Sequence, residues 1–164
     1  MLTLLSAPKP FRGHIGVIQA NAIQSWLRLS PPCEVLLFGN DEGIAEAAKR
    51  TGARQVPDIA RNQHGTPLLS AVFEEGTARA GNDLLCYVNA DIILLADFAR
   101  AVQRVRERKG RFLMVGRRVD VAVDRDLPYD EPGWADQFCA WVRSSGKPRG
   151  PEWIDYFVFP RDLY

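Results

Sequence analysis

Along the chain, short unbroken apolar runs alternate with longer stretches in which apolar residues recur every three or four positions. Runs without polar interruption suit strands covered on both faces, as in a parallel sheet between helices. They predict strands at residues 2–5, 34–38, 84–88, 112–116 and 153–159, and Arg54-Gln55-Val56 reads as a further short strand, at 54–56. The intervening stretches read as amphipathic helices. Ile15, Ile18, Ala22, Trp26 and Leu29 make the inner stripe of the first, and Ile44, Ala47 and Ala48 that of the second. Leu68, Leu69, Val72 and Phe73 serve the third, and Phe98, Ala101, Val102 and Val105 the fourth. Trp134, Phe138, Trp141 and Val142 recur at helical spacing in the last. Strand and helix in strict alternation predict an α/β fold. The expectation is a single three-layer domain over residues 1–164, a mostly parallel sheet flanked by helices.

Stop and start signals sharpen these boundaries. Ser30-Pro31-Pro32 ends the first helix, and Gly52 ends the second. Asp41 is placed to cap the second helix, and Thr66 followed by Pro67 to open the third. Asp97 reads as the cap of a helix running to Lys109 and closed by Gly110. The arginines near its end favour the helix dipole and form a solvated face.

Bulk numbers narrow the chemistry. A hydrophobic share of 46% and a charged share of 25% describe an ordinary soluble protein, and a net charge of +1 gives no pull toward nucleic acid. No apolar run is long enough to span a membrane, and residues 1–5 are too short for a leader. Three scattered cysteines fit no disulfide framework, which suggests a reducing, cytoplasmic setting. With two histidines, a structural zinc site has too few soft ligands.

The chemistry concentrates after the run Leu84-Leu85-Cys86-Tyr87-Val88, where Asn89 and Asp91 interrupt the hydrophobicity two residues apart. In extended backbone they share one side and converge at a strand end. The carboxyl ends of parallel strands are where open α/β sheets bind ligands. Tyr87-Val88-Asn89-Ala90-Asp91 resembles the D-x-D signature of GT-A glycosyltransferases, the nucleotide-diphospho-sugar transferase fold, with Asn in the first acidic place. The element order matches the donor half of that fold across essentially the whole chain. It is similar to family 2 enzymes and, more narrowly, to small bacterial and plant glycosyltransferase-like proteins.

The resemblance implies a nucleotide-diphosphate sugar as donor, an acceptor of unspecified kind, and Mn²⁺ or Mg²⁺ bound by Asp91 with Asn89. Asn89 in place of an acid implies a weaker metal site, or a contact to the ribose. Pro8 and Lys9, in the loop after the first strand, would touch the nucleotide, and Asp41 would accept from its base. His64 and Gly65, ahead of the third helix, are expected beside free backbone N–H groups that favour anions. Arg117 and Arg118, at the end of the fifth strand, are suited to clamp a diphosphate or sugar, or else to pair with Asp120 or Asp124. Asp155 shares its face of the last strand with Phe157 and Phe159. Burial there would raise its pKa, as suits a general base, and the resemblance implies an acceptor-side carboxylate in this region. The Glu-Asp pair of many inverting members is absent. Enzymes of this fold usually continue beyond the point corresponding to Asp162-Leu163-Tyr164, so a reduced or incomplete domain is expected. Two further functions share the fold. A sugar-phosphate nucleotidyltransferase would carry a Gly-rich loop where this chain has Ser6-Ala7-Pro8-Lys9-Pro10. A non-catalytic nucleotide-binding domain would tolerate Asn89.

Overall fold

The computed structural model describes residues 1–108 and 110–163. The chain runs β1 (Leu2–Ser6), α1 (Gly13–Leu27), β2 (Glu34–Phe38), α2 (Ile44–Thr51), β3 (Arg54–Val56), α3 (Leu69–Arg79) and β4 (Leu84–Val88). It continues through α4 (Ala96–Arg108), β5 (Met114–Arg117), β6 (Val119–Asp120), α5 (Trp134–Ser145), β7 (Lys147–Pro148) and β8 (Ile154–Pro160). Six strands form one sheet in the order β3-β2-β1-β4-β8-β5. Neighbours among β3, β2, β1 and β4 pair in parallel. β8 inserts antiparallel between β4 and β5, so β5 runs with the other four.

Both faces of the central strands β1, β2 and β4 are covered, which is why those read as near-continuous apolar runs. Leu4, Leu37 and Cys86 point to one side, into a core with Ile23 and Trp26 of α1, Ile44 of α2 and Phe98 of α4. Their chain neighbours Leu5, Leu36 and Leu85 point to the other, against Val72 of α3 and Phe159 of β8. The period-2 geometry of a strand sends successive apolar residues to separate cores. The layered α/β expectation is met.

Several boundaries move. The first helix occupies residues 13–27 rather than 15–29. Thr66 and Pro67 do not open α3, whose first residue is Leu69. Asn62 Oδ1 instead accepts the backbone N–H groups of His64 and Thr66, and Arg61 pairs with Pro67 in an isolated bridge. That loop satisfies the backbone locally and delays the helix. Asp41 does not cap α2, where Gly43, in the left-handed region at φ 85°, holds the cap position. Asp97 is the second residue of α4, not its cap, and Lys109 lies outside the described residues. β5 begins two residues later than expected and reaches Arg117. The two-residue strands β6 and β7 form an antiparallel ribbon that periodicity could not reveal in so short a span.

Candidate functional site

At the carboxyl end of β4 the extended backbone stops at Val88. A turn follows, with the Ile92 N–H bonded to the Asn89 carbonyl at 3.2 Å. The expected same-side projection of Asn89 and Asp91 therefore does not occur, because it required strand geometry through residue 91. Asn89 turns toward β8: its Nδ2 donates to Asp155 Oδ1 at 2.9 Å, and its Oδ1 accepts the Tyr87 hydroxyl at 3.1 Å. Asp91 is exposed and makes no hydrogen bond or ion pair among the described residues.

Asp155, second residue of β8, is 5% exposed. Phe157 and Phe159 do share one face of β8, but the Asp155 carboxylate itself meets polar partners. Besides Asn89, Oδ1 accepts from Arg118 Nη1 at 2.9 Å. Oδ2 is buried with no hydrogen-bond partner among the described residues. Such an orphan acceptor costs about 1–3 kcal/mol, which a donor from a ligand would recover. Arg118 also donates through Nε to Asp120 at 2.8 Å, and Asp120 accepts from Arg149 Nε at 2.6 Å. Arg118 is thus paired with acids rather than left open to clamp a diphosphate. Burial opposes its charge, but Asp155 and Asp120 outweigh that and hold the guanidinium pKa above its ordinary value. Tyr87 titrates above the usual phenol range, first through burial and then through the charges of Asp91 and Asp155.

Asp91, Arg117, Arg118 and Asp155 line one cavity of about 630 Å³. Its wall includes His14 of α1 and Arg143 of α5, which no sequence motif singled out because neither lies near the Asn-x-Asp stretch. The remaining candidates gather at the exits of β1 and β2. Pro8 is buried, while Lys9 is exposed. Gln19 of α1 clamps the Lys9 backbone from both sides, accepting its N–H at 2.7 Å and donating to its carbonyl at 2.8 Å. Asp41 Oδ2 accepts from Arg61 Nη2 at 2.7 Å, and Arg61 Nη1 donates to the Gly65 carbonyl at 2.6 Å. The N–H of Gly65 is bonded to the Asn62 carbonyl, so the free anion-binding amides expected at a helix start are absent there. His64 is exposed on the same loop. Gln19 and Arg61 organise this side, and only the tertiary contacts reveal it.

The donor set suits a hard divalent ion in part. Among the described residues no group of three or more His, Cys, Asp or Glu side chains is gathered to hold a metal. Asp91, open in the cavity, is the carboxylate at hand. Mg²⁺ is commonly bound through one or two carboxylates with substrate phosphates completing its shell. The residues fit an ion that arrives with a phosphate-bearing ligand.

No family model and no curated protein matches the chain. Solved structures do match in fold. CMP:2-keto-3-deoxy-manno-octonic acid synthetase, solved with CTP, is 12% identical with a TM-score of 0.53, over 99% of this chain and 76% of that one. A cytidylyltransferase from Leptospira borgpetersenii gives 10% and 0.56, over 99% and 60%. Glucosyl-3-phosphoglycerate synthase from Mycobacterium tuberculosis, solved with Mg²⁺ and UDP, gives 15% and 0.52, over 99% and 57%. The fold is that of the nucleotide-diphospho-sugar transferases and cytidylyltransferases. At these identities the likeness is one of fold, and the chain spans only about three fifths of the latter two proteins. No helix among the described residues is long and apolar enough to cross a membrane.

Proposed function

We propose that this chain is a metal-dependent glycosyltransferase of the GT-A kind, moving a sugar from a nucleotide-diphosphate donor to an acceptor hydroxyl. The observation that carries this reading is the exposed Asp91 after β4, sharing a cavity with the clamped carboxylate Asp155. Asp91 would hold Mn²⁺ or Mg²⁺ against the donor diphosphate; such an ion, as a Lewis acid, stabilises charge on the leaving group. Lys9, Asp41 and His64, at the exits of β1 and β2, would flank the nucleoside. Asn89 and Arg118 fix one oxygen of Asp155, leaving Oδ2 to take the acceptor proton. The acceptor oxygen bonds to the anomeric carbon as that carbon's bond to the diphosphate oxygen breaks. A thermal-shift panel of nucleoside diphosphates with and without Mn²⁺ tests the binding step, since 100-fold saturation stabilises by about 2.7 kcal/mol. Asp91→Ala should abolish the Mn²⁺-dependent shift; an unchanged shift would remove the mechanism.

A second reading, nucleotidyl transfer to a sugar or sugar acid, is favoured by the cytidylyltransferases among the structural likenesses. Against it, residues 6–10 carry no glycine. Release of pyrophosphate from CTP would reverse the ranking. A non-catalytic nucleotide-binding domain would show the Mn²⁺-dependent shift without donor turnover.

A further inference from the structure

We propose that the cavity beyond β4 takes a hydroxylated oxyanion, its carboxylate or phosphate held by Arg117 and Arg143 and its hydroxyl by Asp155. The proposal rests on glycosyl transfer only in naming this compound the acceptor. Three observations carry it.

The first is lateral order. β8 lies between β4 and β5, so Asp91, Asp155 and Arg117 stand at the same end of three adjacent strands. Strands are about 4.8 Å apart, which puts the β5 exit roughly 10 Å from the β4 exit. An anion at Arg117 is thus separated from a diphosphate at Asp91 by the width of β8, where Asp155 stands.

The second is charge. Arg118 is neutralised by Asp120 and Asp155. Arg117 and Arg143 line the same cavity, are exposed, and have no acidic partner among the described residues. Two uncommitted guanidinium groups offer bidentate donors to an oxyanion. The acids Asp91 and Asp97 belong to the β4 exit and the first turn of α4. The third is aim. Val115 pairs with Phe157 and Arg117 with Ile154, so the extra residue lies on β8, where Tyr156 and Asp155 oppose the single Gly116. A Cβ at 116 would collide with the Tyr156 hydroxyl, so glycine lets β5 close over that ring. A bulge re-aims a side chain of the strand that carries it, and here it sits at Asp155, between the exits of β4 and β5.

Calorimetry without metal or nucleotide tests this, using glycerol 3-phosphate, glycerate and uncharged glycerol as probes. Wild type should bind one or both oxyanions and not glycerol; which of the two binds tells phosphate from carboxylate. The Arg117→Ala/Arg143→Ala double variant should lose at least about tenfold in affinity, and Arg117→Lys should lose less than Arg117→Ala. The double variant should keep the circular dichroism and the Mn²⁺-dependent UDP affinity of wild type. Failure of both oxyanions, equal binding of glycerol, or unchanged affinity in the double variant would overturn the proposal. So would displacement of the oxyanion by metal-free UDP, which would assign the arginines to the donor. If oxyanion binding depends on both arginines while no nucleoside diphosphate binds, this subsite stands and the nucleotide-sugar reading falls.

Discussion

Asn89 and Asp155 are joined twice, the side-chain amide of Asn89 donating to Oδ1 and its backbone N–H to the Asp155 carbonyl, each at 2.9 Å. This double link fastens the exit of β4 to the start of β8. It also explains why an amide suits position 89: a carboxylate there would face a second carboxylate.

Asn89→Asp should therefore not simply complete an acidic pair. Like charges at hydrogen-bond distance raise the pKa of one of them. A carboxyl whose folded pKa is raised contributes no penalty below its unfolded value, about 3.9, and costs stability progressively as pH rises from there to the folded value, above which the cost is constant. Urea unfolding should show a loss of about 1–3 kcal/mol at pH 7.5 that shrinks toward pH 4. Added Mn²⁺ should recover part of it only if the ion reaches both acids. Stability equal to wild type at pH 7.5 without metal would show that the two side chains do not meet as described.

The segment after Asp91 is pinned from α1. Buried Ser25 donates to the Ala22 carbonyl at 2.7 Å and accepts the Leu94 N–H at 3.0 Å, while Trp26 Nε1 donates to the Ile92 carbonyl at 2.8 Å. Ser25→Ala strands a buried N–H, worth about 1–3 kcal/mol. Amide exchange at Leu94 should quicken while amides in β1 and β2 change only with the global loss. Unaltered protection at Leu94 would deny the bond a role in holding this segment.

The ribbon of β6 and β7 should loosen in acid. The hydrogen bond from Arg149, followed by that from Arg118, holds the Asp120 carboxyl below the ordinary carboxylate range. A depressed folded pKa contributes stability above the unfolded value, and the contribution is lost as pH falls through the folded one. Carbon NMR of the side-chain carboxyl should give a low midpoint that rises in Arg149→Ala. Trp153 offers a second readout, because the guanidinium carbons of Arg118 and Arg149 lie 4.7 and 5.0 Å from its ring centroid. An identical midpoint with and without Arg149 would contradict the assignment.

Much of the scaffold was legible because its signals are local. β2 and β4 fall at the expected residues, since a doubly covered strand has to be apolar on both faces; the edge strand β3, Arg54–Val56, does so as well. Gly52 closes α2 in the left-handed region, at φ 76°, as its position suggested. Thr66-Pro67 misled, because the Ala60 carbonyl takes the Leu68 N–H that a Thr66 cap would need, while Asn62, four residues upstream, holds the N–H of Thr66 itself. Asp41 misled for a like reason: its carboxylate meets Arg61, twenty residues on.

The candidate site divides along the same line. The alternating α/β layers, and the place of Asn89, Asp91 and Arg117 at strand ends, follow from residue order alone, because hydrophobic periodicity and turn chemistry act between near neighbours. Folding in three dimensions was needed to show that Asn89 serves Asp155, that Arg118 is spent on two acids, and that Arg143 and His14 share a cavity with Asp91. Those relations depend on β8 entering the sheet between β4 and β5. A strand read from the end of a chain carries no mark of which neighbours it will take; packing against both faces sets that.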